Sequence, residues 1–273
     1  MNLEDHLGDI LRKGRLLANV SRQAAAQAAG LTEAELSTLE ETGTFSRRPN
    51  FAALGSLIQM EARKLEAIAD GWLPRPQNLE RWQHLQRFTS TGAGLTVNCY
   101  LMWDPRTRTA ALFDTGFEAQ TVLHTVRSER LTLTHLFITH AHEDHVAALG
   151  ELRAAWPAVQ VHSNSAHAPA TQRLAGGAQF TLGALEISFR ETPGHAADGV
   201  TYLVQGWAGN APGVAVVGDT IFAGSMGRGN DGWDLARAKI QEHILSLPPE
   251  TLLCPGHGPL TTVAEELATN PFF

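Results

Sequence analysis

An α/β fold preceded by a small helical bundle is what the 273-residue sequence predicts, and three observations carry that expectation. Short apolar runs at 110–113, 133–138, 185–189, 214–217 and 251–253 have the length and content of strands. Each is followed by a turn that carries a His or Asp, most often beside a glycine that lets the backbone bend tightly. The first 75 residues read differently: they lack strand alternation, are rich in Ala, Leu and Glu, and have helical spacing.

The helical part comes first. Glycines at Gly14, Gly30, Gly43 and Gly71 are read as helix stops. Residues 21–43 read as helix, tight turn, helix, with Ser21 and Thr32 as N-caps and Thr32 with Glu35 as a capping box. Arg12, Lys13, Arg15 and Arg22 are read as a solvated basic face. Pro74 and Pro76 disfavour helix continuation, so residues 76–84 are expected to be a linker, with Trp72 and Trp82 packing it or serving as core.

Thr139-His140-Ala141-His142-Glu143-Asp144-His145 follows the apolar run 133–138 and precedes a helical pattern at 146–152. Chemistry in α/β proteins sits on such strand-to-helix loops. Three imidazoles beside two carboxylates have no packing rationale, and a bound cation resolves their crowding. Partners are expected after three other strands: His195 in Thr-Pro-Gly-His, Asp219 in Gly-Asp-Thr, and His257 in Pro-Gly-His-Gly. Glu143 is read as a solvated neighbour, not a catalyst.

With Asp114-Thr115-Gly116 added, this five-part pattern resembles the metallo-β-lactamase fold superfamily over residues 85–273. The resemblance implies a four-layer αββα sandwich with a dinuclear centre at one edge. Carried over position by position, His140, His142 and His195 would hold one divalent ion, and Asp144, His145 and His257 a second. Asp219 would bridge them, Asp144 would also orient a metal-bound hydroxide, and Asp114 would support the ligands without binding metal. The donor set suits zinc first, with iron or manganese as alternatives.

Antibiotic-degrading members generally carry cysteine where this chain has Asp219, which argues against β-lactams as the main substrate. The 222–228 segment and the ending Thr-Asn-Pro-Phe-Phe resemble compact glyoxalase II-like hydrolases, which lack a glutathione-gripping C-terminal helical domain. The implied reaction is hydrolysis of a thioester or related ester, with Arg228 as a candidate carboxylate anchor. The rival is persulfide dioxygenation at one iron held by His140, His195 and Asp219.

Residues 1–75 also resemble a repressor-type helix-turn-helix. The stretch 32–41, where base-reading residues would sit, holds four glutamates and no Arg, Lys, Asn or Gln. Residues 1–76 carry 9 basic against 10 acidic side chains, and the remainder 12 against 18. Neither part has the basic excess that phosphate binding uses. The helical domain is therefore expected to dimerise the chain or shape the active-site mouth; a DNA-binding regulator with a metabolite-sensing metal domain is the remaining alternative. No apolar run reaches membrane-spanning length and no signal peptide is evident, so a cytoplasmic protein is expected. Cys99 and Cys254 are read as free and buried. His6, His84, His124, His135, His167 and His243 are assigned structural roles, His162 is a minor pocket candidate, and Asn98 and Tyr100 are assigned to packing.

Overall fold

The computed structural model describes residues 2–165, 174 and 177–273, so His167 lies outside the described residues. Five helices open the chain: α1 (Leu7–Leu17), α2 (Arg22–Ala29), α3 (Glu33–Thr42), α4 (Phe51–Ile58) and α5 (Ala62–Ala69). Their ends follow the local chemistry. Ser21 caps α2, Thr32 and Glu35 form a capping box on α3, and Gly30 and Gly43 end these helices in the left-handed conformation. Gly14 departs from expectation: it lies inside α1, where a Cβ would fall 2.1 Å from the Met60 sulfur, so close helix packing accounts for it. His6 supplies the cap of α1 by accepting from the Asp9 amide.

The basic face is also corrected. Lys13 and Arg15 are buried, with Lys13 on Asp5 and Arg15 forked onto Glu40 through bonds of 2.6 and 2.9 Å. Burying such groups unpaired is costly, so their partners are what make the position tolerable.

Two sheets follow. The first runs β1 (Leu85–Gly92), β2 (Leu95–Trp103), β3 (Thr109–Phe113), β4 (Thr132–Phe137), β5 (Gln160–His162), antiparallel up to β3 and parallel from β3 to β5. The second contains β6 (Phe180–Leu182), β7 (Leu185–Glu191), β8 (Val200–Gln205), β9 (Val214–Gly218), β12 (Leu252–Pro255) and β13 (Thr261–Thr262), in the order β13-β12-β9-β8-β7-β6. Between β9 and β12 lie the small hairpin β10 (Ile221–Phe222) and β11 (Ser225–Met226), and α9 (Trp233–His243).

Alternation along the strands builds the layers. Tyr100, Phe113 and Phe137 meet Tyr202, Val204 and Val216 between the sheets. Leu101, Leu112 and Leu136 face outward under α6 (Gln120–Ser128) and α8 (Leu149–Ala155). On the opposite side, Leu203, Ala215, Val217 and Leu253 lie under α9, and this core runs on without a break into the N-terminal helices through Ile221, Met226 and Phe272. The result is the αββα sandwich with helices at its front. Full burial of one such Leu, Val or Phe side chain contributes about 1.5–3 kcal/mol. The last helix, α10 (Val263–Thr269), starts at the Thr262 cap. Trp82 is core, its indole N–H donating to the Pro212 carbonyl at 2.7 Å, and both cysteines are free and buried. Among the described residues no helix is long and apolar enough to cross a membrane.

Candidate metal centre

Strand direction gathers the site. β7, β9 and β12 run the same way because β8 is antiparallel to both β7 and β9, and β9 is parallel to β12. The turns after them therefore emerge at one edge, carrying His195, Asp219 and His257. β3 and β4, also parallel, bring Asp114 and the His140–His145 run to meet them. The helix expected over 146–152 is split, and its first turn, α7 (Glu143–Val146), begins within the ligand run. Asp144 and His145 are therefore helical and buried, while Glu143 projects to solvent.

Two groups of ligating atoms result: His140, His142 and His195 in one, and Asp144, His145, Asp219 and His257 in the other, with atoms inside each group within 4.8 Å of one another. The Nδ1 atom of His142 lies 3.0 Å from His140 Nε2 and 3.1 Å from His195 Nε2. Asp219 Oδ2 stands between the groups, 3.5 Å from His195, 3.9 Å from His140 and 3.3 Å from His257. Its other oxygen is 3.2 Å from His145 Nε2, and Asp144 Oδ2 is 3.0 Å from His257 Nε2.

The donor chemistry fits divalent cations. His145 Nε2 and Asp219 Oδ1 are buried without a hydrogen-bond partner and lie 3.2 Å apart, a pair of free donor lone pairs of the kind a cation would satisfy. Burial holds the His140 pKa well below the usual imidazole value, with the charge of His145 adding to it, so this ring is a ready neutral donor. In His145 burial acts the same way, but Asp219 and Asp114 outweigh it and raise the pKa to about 10. In Asp219 burial is likewise overridden, here by His145, and the carboxyl stays ionised. Cation binding at the second group thus competes with protons.

Supporting contacts orient the rings. Asp114, in the left-handed region at φ 56°, accepts from the Thr139 amide at 2.7 Å, from its hydroxyl at 2.8 Å, and from His145 Nδ1 at 2.8 Å. His257 Nδ1 donates to the Thr96 carbonyl at 2.6 Å. Gly256 has no room for a side chain, since a Cβ would lie 2.4 Å from Asp219 Oδ1. Asn98 and Tyr100 do more than pack: Asn98 donates to the Gly258 carbonyl at 3.0 Å and Tyr100 to that of Pro255 at 2.6 Å, which fixes the turn bearing His257. Asp198, which no local pattern singled out, accepts from the Ala141 amide at 3.0 Å. Its place three residues after His195 is the one signal that it shares the site. Arg228 is exposed beside Gly227, whose Cβ position abuts His195 and Asp219, and its side chain has no ion pair among the described residues. His162 is buried away from the ligands, bonded to His135 at 3.0 Å and stacked on Phe137.

A family model described as the Metallo-beta-lactamase superfamily matches residues 92–257. The chain belongs to that superfamily. A hydroxyacylglutathione hydrolase of Fuscovulum blasticum is 30% identical over 224 residues, 65% of this chain and 85% of that protein. Among solved structures, ETHE1 from Myxococcus xanthus is 30% identical with a TM-score of 0.59, covering 68% of this chain and 83% of that one. The B3 metallo-β-lactamase BLEG-1 is 28% identical with a TM-score of 0.59, covering 69% and 98%.

Proposed function

We propose that this metallohydrolase-superfamily chain cleaves a thioester or related ester, in the manner of glyoxalase II. The observation that carries the proposal is the position of Asp219 between a three-histidine group and an Asp/His group. In this reading His140, His142 and His195 would hold one divalent ion and Asp144, His145 and His257 a second, with the Asp219 carboxylate available to both groups. Such ions supply a nucleophilic water of lowered pKa and polarise the carbonyl under attack. The protein's part is orientation. Asp114 and the Thr96 carbonyl fix the two rings whose Nε2 atoms face inward, and Asp144 would orient the attacking water. Hydrolysis breaks the acyl C–S or C–O bond, leaving OH on the acyl carbon and a proton on the departing atom. Arg228 is a candidate anchor for a substrate carboxylate, and residues 1–75, 76–84 and 85–273 are proposed as helical domain, linker and catalytic domain. The likeness to the Fuscovulum enzyme supports thioesters.

A second reading, persulfide oxygenation at a single iron on His140, His195 and Asp219, is favoured by the likeness to ETHE1. The test is a panel of S-lactoylglutathione, a neutral acyl-N-acetylcysteamine and a β-lactam, with protein loaded separately with zinc, manganese or ferrous iron. Turnover of a thioester that His142→Ala loses supports the proposal. Failure with every metal, together with oxygen uptake on glutathione persulfide, overturns it in favour of the second reading. Preferential β-lactam turnover overturns it too.

A further inference from the structure

We propose, resting on the hydrolase reading, that the cleft formed by the start of the chain and the end of α5 receives the leaving group of the substrate. The structure assigns it a leaving group that carries an ammonium, in preference to an anionic thiol.

The cleft holds about 560 Å³, enough for a small organic group. Leu3, Ile68, Trp72 and Leu73 supply apolar and aromatic wall, and Glu4 and His6 supply polar atoms. Among the described residues no Lys or Arg lines it. Gly43 and Gly71 place the carboxyl-terminal ends of α3 and α5 on its border, and helix C-termini carry partial negative charge. Its second carboxylate, Asp5, is already neutralised, being buried against Lys13 and the Ser225 hydroxyl. Glu4 differs: its side chain is exposed and has no ion pair among the described residues. A carboxylate without an ion-pair partner, sharing one cleft with an indole, matches an alkylammonium by charge and by cation–π attraction.

The cleft adjoins the metal centre through the same residue. The Glu4 amide nitrogen lies 3.0 Å from where a Cβ of Gly258 would stand, next to His257, and partial burial of the Glu4 carboxyl raises its pKa above the usual carboxylate value against the opposing charge of His257. Trp72 covers Gly224, at the turn between β10 and β11. Phe222, in the same hairpin, packs its ring edge-on to His257 at 5.9 Å. In this proposal the departing chain of an acyl group held at the ligands runs past His257 and along Glu4 into the cleft.

The test uses the full-length, metal-loaded protein and three thioesters sharing an acetyl group: acetylthiocholine (cationic), S-acetyl-N-acetylcysteamine (neutral) and S-acetyl-3-mercaptopropionate (anionic). Each kcat/KM is divided by the rate with free hydroxide, which removes intrinsic reactivity. The expected order is cationic, neutral, anionic, with at least a tenfold span. Glu4→Gln should shrink the cationic preference, and Glu4→Lys should invert it. Equal values in the wild type, or a span unmoved by Glu4→Lys, overturn the proposal. If no thioester is cleaved with any metal, the hydrolase reading fails and the cleft is tested separately by calorimetric titration with choline. Binding that Glu4→Lys abolishes then supports a cation subsite; no binding to the wild type overturns it.

Discussion

Asp114 shows how one carboxylate can serve three partners. Its positive φ is a conformation that Asp tolerates better than most residues, and it turns the side chain onto Thr139 and His145 together. An amide in its place keeps the size but replaces one acceptor oxygen with a donor, so it cannot accept from all three. Asp114→Asn is expected to leave the fold intact and to lower metal affinity or activity about 10- to 100-fold. Metal content after dialysis, beside an unchanged circular dichroism spectrum, checks this. Asp114 was legible from its Asp-Thr-Gly setting at a strand end. Asn98 and Tyr100 were not, because nothing local to β2 reveals that their side chains cross to the turn after β12.

At the scale of elements, Glu266 on α10 ties three segments together. Wholly buried, it accepts from the Gly224 amide at 3.0 Å, from Thr261 Oγ1 at 2.7 Å and from Asn270 Nδ2 at 2.8 Å. Burial raises its pKa to about 7, against the opposing pull of these donors. A carboxyl with a folded pKa above its unfolded value of 4.5 binds its proton more tightly in the native state. Its contribution is therefore complete below pH 4.5, declines as pH rises toward 7, and is flat above. The full change is on the order of 3 kcal/mol. Glu266→Gln, which keeps an acceptor for Gly224 and Asn270, should flatten the urea-unfolding midpoint across that window. A wild-type slope retained in the variant would refute this assignment. The caps of α2 and α3 were readable because capping operates within three or four residues. Glu266 was not, since only packing makes that position interior.

Across the whole molecule, the helical front and the sandwich share one apolar core. Lys13 crosses the junction, donating to the Met226 carbonyl at 2.7 Å while paired with Asp5. Lys64 does likewise near the chain end, donating to the Leu267 carbonyl at 2.9 Å. Heating is expected to give a single cooperative transition instead of one for each part. Removing the Lys13 charge by Lys13→Met strands Asp5 in the interior and should cost about 3–5 kcal/mol. Two calorimetric transitions, or a Tm unmoved by the substitution, would contradict this coupling.

What the sequence determined by itself was whatever short-range periodicity encodes: the strands, the caps, and a set of His and Asp side chains each placed just past a strand. Those features depend on residues within a turn or two of one another, so spacing alone exposes them. Tertiary structure decided which side chains meet. It paired Lys13 with Asp5, brought Asn98 to the His257 turn, set Asp198 under Ala141 and laid Glu4 beside Gly258. Each of these rests on sheet order or on layer packing, where partners far apart in the chain are selected by the mutual burial of apolar faces.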